Sequence, residues 1–327
     1  MGQRRISTTV RVRAVSWGKK AAARLHDDWL GRVWTVDPEG VLLVSETGEM
    51  VSLVPHEVGN GPFHVVLAPG EANALKGLKR GTWVWRVGEE LWVGDSLTVL
   101  LPDAEPWDAG LDWHALRQVD AAILARRLHW LADALLARAP EGSFAGLLPE
   151  LLAGEELTDR PDLERHGRLL RWRAARVLRH LMPAMEMGDM VTVETLGNRA
   201  AGLGPGAPPA GDHFLIGLIA GTRLWPHVVE ASGLKVEPVL RRMALGAAER
   251  TSLLGWGLIH EALAGAFSEP WHQLARLLQD DSNHPDEQHA RLVELVKVWL
   301  ERPDVLGASG LAGFVLPFLW HQRKMTS

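Results

Sequence analysis

The feature that most constrains this 327-residue chain is a change of hydrophobic period near Pro106-Trp107-Asp108-Ala109-Gly110. Before it, apolar and polar residues alternate over short runs, the pattern of a half-buried strand. After it, apolar residues recur at i, i+3, i+4 and i+7, the pattern of one helix face. Strands are predicted at Val10–Ser16, Leu30–Val36, Val41–Ser45, Met50–Val54, Phe63–Ala68, Thr82–Val87, Leu91–Val93 and Ser96–Leu101. Turn signals such as Asp37-Pro38-Glu39-Gly40 and Gly59-Asn60-Gly61-Pro62 separate them, and a short helix is expected around Gly70–Leu78. Short strands at roughly 8–12-residue spacing indicate a sandwich or barrel-like domain.

From Trp113 onward the pattern is helical. Leu116, Val119, Ile123, Leu124, Leu128, Leu131 and Leu135 predict one amphipathic helix. Further helices are predicted near 143–153, 161–181, 192–200, 213–225, 236–247, 252–267, 270–279, 285–300 and 310–323. The expected fold class is α+β: a β-rich N-terminal domain over residues 1–105, then a mainly helical domain over 106–327.

Composition excludes several chemistries. With no cysteine, disulfides, thiolate nucleophiles and iron–sulfur ligation are ruled out. No tyrosine is available as a general acid. A net charge of −5, with no basic stripe interleaved with aromatics, gives no reason to expect nucleic acid. The N-terminal stretch is basic but lacks the apolar core of a secretory signal. The apolar runs at 214–220 and 305–320 are too short, and too interrupted by Gly or Pro, for membrane spans. A cytoplasmic protein is expected.

The helical part contains AAGLGPGAPPAGDHFLIGLIAGTRLW, residues 200–225, which joins a Gly- and Pro-rich loop to an apolar segment. Asp212 stands where an N-cap would be, and amides at a helix N-terminus can hold an anion. The loop lacks the Lys-Ser/Thr of a P-loop and the spacing of a dinucleotide fold. An anion cradle and a structural lead-in to a buried helix are both open readings. The segments 213–225, 252–267 and 310–320 are apolar around most of their circumference, so all three are expected inside the core. Their small residues, among them Gly217, Gly221, Gly255 and Gly313, allow close approach of helix axes. Asp212, Thr251-Ser252 and Ser309 are the expected caps, and three such N-termini can converge on one point.

At these residues the sequence resembles the AllH-like proteins, a family linked to oxamate carbamoyltransferase. The family loop GxGLTPSGDDFLxG is resembled by Gly204–Gly217, GPGAPPAGDHFLIG. A helix opening with Thr or Ser is matched by Thr251-Ser252. A C-terminal G-(H/A)-T-S-G loop is resembled by Leu306-Gly307-Ala308-Ser309-Gly310, and Gly61-Pro62 with the following strand also fits. Pro208 and Ala210 replace the family's Thr and Ser, His213 replaces its second Asp, and the third loop is one residue short. The most specific motif therefore lacks two hydroxyls and one carboxylate.

The resemblance implies a subunit of a multi-subunit enzyme that moves a carbamoyl group between oxamate and phosphate, linking oxalurate and carbamoyl phosphate. On that basis Asp212, His213 and Ser309 are the candidate catalytic residues. Gly204, Gly206, Gly211, Thr251, Ser252, Gly307 and Gly310 are the candidate substrate-binding residues. Asp212 suits a capping role or a partner for a substrate amide, and His213 a proton donor. The implied partners are a small anionic substrate and other subunits; no cofactor or metal is implied. A non-catalytic regulatory protein, and a scaffold whose loops complete a shared site, are the competing readings.

Other motifs carry less. His260-Glu261 is followed by Ala264 and not by the His of a zinc-binding HExxH. His284 and His289 read as a solvated turn entering a helix, and no GxSxG elbow is present. Arg168, Arg171, Arg173, Arg176 and Arg179 recur along one predicted helix, as a solvated face or a subunit contact by default, with a phosphate contact as the alternative. Trp107 and Trp113, flanking the change of period, are expected to pack.

Overall fold

The computed structural model describes residues 9–140, 143–154, 164–280, 284–301 and 306–326. The basic N-terminal stretch, residues 161–163 of a predicted helix and Val305 lie outside these. The chain divides into two compact units. One runs to Leu111 and takes in Ala266–His272; the other holds Asp112–Gly265 and the chain from Gln273.

The first unit is built on β1 (Val10–Gly18), β2 (Leu30–Asp37), β3 (Gly40–Ser45), β4 (Met50–Val54), β5 (His64–Leu67), β6 (Trp83–Val87), β7 (Glu90–Val93), β8 (Leu97–Leu100) and β9 (Glu105–Trp107). Strands β1–β8 close into a barrel in the order β5-β4-β3-β2-β6-β7-β8-β1. Strand β1 closes the ring by changing partners. It runs parallel to β8 from Val10↔Leu97 to Arg13↔Leu100, and antiparallel to β5 from Ala14↔Leu67 to Trp17↔Val65, with an irregularity between Ala14 and Ser16. Inward residues such as Val33, Leu43, Leu53, Leu67, Val84, Leu91 and Val99 form the core of this unit. Side chains therefore fill the interior, as eight strands of this size require.

The predicted strands appear within one or two residues of their expected limits. Strand β9 and helix α1 (Lys19–Arg24) are additional. Neither has a strong local signal: β9 has three residues around a proline, and α1 starts at Gly18 with no side-chain cap. Tertiary contacts hold α1, with Ala21 N donating to Pro62 O and Arg24 Nη1 to Met50 O. The expected helix at 70–78 is a single 3-10 turn at Ala72–Leu75. Trp107 packs on His272, ring centroids 4.8 Å apart.

The inserted segment Ala266–His272 is bound to the barrel unit by hydrogen bonds. Phe267 N donates to Ala109 O at 2.7 Å, and Glu269 Oε2 accepts from Asn60 N at 2.9 Å and Nδ2 at 3.0 Å.

The second unit contains α2 (Trp113–Gln118), α3 (Ala121–Leu136), α4 (Leu148–Ala153), α5 (Arg165–Met187), α6 (Met190–Ala200), α7 (Ala210–Leu224), α8 (His227–Glu230), α9 (Val236–Ala247) and α10 (Leu253–Leu263). It continues with the C-terminal part of α11 (Glu269–Gln279), α12 (Pro285–Glu301) and α13 (Leu306–Thr326). Three predicted helices are divided or shortened, and the one near 143–153 is α-helical only over Leu148–Ala153, after a 3-10 turn at Ala145–Leu147. The one expected from Trp113 breaks at Asp120, whose carboxylate accepts from Ala122 N at 2.9 Å and Ile123 N at 3.1 Å and starts a new helix. The one expected over 252–267 stops at Leu263, with Gly265 following at φ +86°.

Helix α7 is buried along nearly its whole length and packs on α13 through backbone. A Cβ on Gly217 would collide with the Gly310 carbonyl, one on Gly221 with that of Phe314, and one on Gly313 with that of Phe214. From Gly217 to Gly221 the α13 partner advances by one turn from Gly310 to Phe314, so the two helices run parallel. Helix α6 packs on α9 by the same device at Gly197 and Gly246. Helix α10 differs from the expectation of full burial: Leu253, Leu254, Trp256 and Leu258 are part-exposed and His260 is exposed. Among the described residues, no helix is long and apolar enough to cross a membrane.

Gly217→Ala should therefore lower the free energy of unfolding by about 1–3 kcal/mol or more, because carbonyls of a packed helix cannot move aside as a flexible side chain can. Urea denaturation followed by circular dichroism reads this. An unchanged midpoint would show that the helices separate at little cost.

Candidate functional site

The loop between α6 and α7 is closed on itself. Gly204 and Gly206 take φ values of +91° and +108°, the left-handed region that glycine tolerates, and Ala207–Pro208 is cis. Pro209, not Asp212, is the N-cap of α7. The first amides of the helix are already engaged: Ala210 N donates to Pro205 O at 2.9 Å, Gly211 N to Leu203 O at 2.8 Å and Asp212 N to Pro209 O at 3.0 Å. Gly211 itself is a packing residue, since a Cβ there would strike the Ala200 carbonyl.

Asp212 sits in the first turn and is 0% exposed. Its Oδ1 accepts from Gly202 N at 2.9 Å, and its Oδ2 accepts from the Thr251 hydroxyl. The carboxylate thus ties the end of α6 to the start of α10. Gly255 makes the tie possible, because a Cβ there would overlap both Asp212 Oδ2 and Thr251 Oγ1. Burial pushes the Asp212 pKa up from its ordinary 3.8, while the bonds from Thr251 and Gly202 pull it down; burial is the larger effect.

Ser252 caps α10, its Oγ accepting from Gly255 N at 3.0 Å, as its place in the sequence indicated. Ser309 is not a cap. It lies inside α13, fully buried, and its Oγ accepts from Phe144 N at 3.5 Å. Phe144 stacks on Phe214, centroids 4.7 Å apart. A Cβ on Gly307 would meet the Trp299 carbonyl, and the Gly310 carbonyl faces Gly217. His213 is half-buried at the start of α7.

The structure therefore joins Asp212 and Thr251 directly and places Ser252 at the same helix start. Ser309, Gly307 and Gly310 engage Phe144, Trp299 and Gly217 instead. Two contributors were not assigned from sequence: the Gly202 amide and the space left by Gly255. The signal available for Gly255 was its place one helical turn after Thr251. Among the described residues, no group of three or more His, Asp or Glu is placed to hold a metal ion.

Thr251, Asp212, Gly202 and Gly255 form one connected unit within a single stretch of chain. Residues 200–298 match the family model for the oxamate carbamoyltransferase subunit AllH. The match supports an AllH-like family assignment. Neither the curated proteins nor the solved structures compared with the chain gave a match.

A carboxyl whose folded pKa is raised binds more protons in the native than in the unfolded state. Its stabilisation is complete below pH 3.8 and is lost as pH rises through the raised folded value. Asp212→Asn should abolish this part of the stability–pH profile. Thr251→Val should raise the Asp212 pKa further, extend the loss to higher pH, and cost about 1–3 kcal/mol at neutral pH. Thermal melts of the three proteins between pH 4 and 8 measure both effects. Superimposable profiles would show that the Asp212–Thr251 bond is absent in solution.

Proposed function

We propose that this chain is a subunit of an oxamate carbamoyltransferase-type enzyme and handles a small carboxylate or carbamoyl phosphate substrate together with other subunits. The observation that supports this reading is a coincidence of position. The family-matching segment contains the Asp212–Thr251–Gly202 unit, which fixes the Gly-rich loop and the start of α10. Carbamoyl phosphate and oxamate are small anions, and pre-aimed donors are what a developing charge on the carbamoyl oxygen requires. Overall the exchange converts carbamoyl phosphate and oxamate into oxalurate and phosphate.

One observation favours a second reading, a regulatory or scaffold subunit whose loops complete a site shared with a partner. The leading amides of α7 are bonded to carbonyls of the loop itself, and Pro208 and Ala210 carry no hydroxyls. An anion at this helix start would have to displace internal bonds.

Calorimetric titration with carbamoyl phosphate, oxamate and phosphate separates the two. Under the transferase reading carbamoyl phosphate binds saturably, and Gly206→Val, which forces a branched side chain into φ +108°, loses that binding without loss of fold. If neither carbamoyl phosphate nor oxamate binds, the substrate-handling role is wrong and the scaffold reading stands.

A further inference from the structure

A cavity of about 320 Å³ opens between α5, the end of α6 and the link from α9 to α10. It is lined by Trp172, Arg173, Arg176, Asn198, Arg199 and Arg250, together with Val177 and the Ala201–Leu203 segment. We propose that this groove binds a nucleoside di- or triphosphate.

Charge is the first argument. Four guanidinium groups from three segments line one cavity, and no acidic residue lines it. The chain as a whole is acidic, at −5, so general basicity does not account for this. Four other arginines of the helical unit have carboxylate partners: Arg171 with Glu150, Arg223 with Glu237, Arg242 with Glu194 and Arg291 with Asp280. Among the described residues, none of the four in the groove has an ion pair. Like charges gathered around one cavity repel, and a bound polyanion removes that repulsion. A guanidinium presents a planar fork matched to phosphoryl oxygens, and a single small anion would leave most of the four unmatched.

Shape is the second argument. The volume is at the lower end of small-molecule pockets, enough for a mononucleotide and far more than one phosphate fills. Trp172 is 54% exposed, and the Arg176 guanidinium lies 5.7 Å from its ring centroid. An exposed indole at the edge of a basic groove is a platform for a flat heteroaromatic ring. The Asn198 amide offers both a donor and an acceptor to the polar edge of such a ring. The Ala201–Leu203 side of the lining is held in place, since Asp212 accepts from the Gly202 amide.

This inference goes beyond the carbamoyltransferase reading and does not depend on it. The test is calorimetry on the full chain with ADP, pyrophosphate, phosphate and adenosine at low ionic strength. ADP should bind tightest, pyrophosphate about five-fold or more weaker, and phosphate weaker still, with adenosine undetectable. Arg173→Ala and Arg250→Ala should each weaken ADP about ten-fold or more, as loss of a charged hydrogen bond does. Trp172→Ala should bring ADP down to the affinity of pyrophosphate. Arg241→Ala, which removes an exposed charge on α9 away from the groove, should leave ADP binding unchanged. Thermal melts check that every variant is folded. ADP binding no tighter than phosphate, adenosine binding as well as ADP, or Arg241→Ala weakening ADP as much as Arg250→Ala would each overturn the proposal. Its failure leaves the Gly206→Val test of carbamoyl phosphate binding untouched, because Gly206 does not line the groove.

Discussion

A single buried carboxylate governs the geometry of the helical unit's distinctive region. Asp212 is shut away from water in the first turn of α7, where the helix dipole favours negative charge. Its two oxygens take one backbone amide, from Gly202, and one hydroxyl, from Thr251. Those residues belong to different segments, so the bonds fasten the end of α6 and the start of α10 to the same turn of α7. Burial disfavours the ion and pushes its pKa up, and the bonds from Thr251 and Gly202 oppose that shift as the smaller effects. Removing either donor leaves a buried charged group under-bonded, which costs more than a hydrogen bond on the surface.

The carboxylate can be placed this way because α7 is itself fixed. Three glycines at the α7–α13 contact let main chain touch main chain, and α6 and α9 repeat the arrangement at Gly197 and Gly246. Packing of this kind is intolerant of added volume, since a carbonyl of a hydrogen-bonded helix cannot change rotamer. Glycine therefore has two uses here. In the loop Gly204 and Gly206 supply backbone angles; in the helices Gly217, Gly221 and Gly313 supply absence of bulk.

Much of the fold was legible because its signals are local. Alternation placed the strands, and the 3.6-residue period placed most helices, because burial of one face imposes those periods on the sequence. Closure of the barrel was less accessible, since it depends on β1 exchanging β8 for β5 along its length, a long-range pairing with no sequence period of its own. The cap at Asp120 was hidden by apolar spacing that continues across it. At the site, the loop and Thr251 could be singled out by residue type, but the role of Asp212 could not. Capping an N-terminus and bridging two other segments draw on the same side chain, and only tertiary contact distinguishes them. Arg173, Arg176, Arg199 and Arg250 illustrate the same limit. Periodicity put the first two on one helix, while the cavity also depends on residues more than twenty positions away in the chain.

Together with the match of residues 200–298 to AllH, these observations describe a loop whose donors are directed inward and whose neighbouring groove is strongly basic. Asp212 and the loop carbonyls hold the amides of Gly202, Ala210 and Gly211. Native-state hydrogen exchange at these three amides tests this most directly. Bonded amides at a rigid helix start should exchange as slowly as those in the middle of α7, and Asp212→Asn should speed Gly202 most. Exchange at the rate of an open surface loop would contradict the account, because it would mean that these donors face solvent.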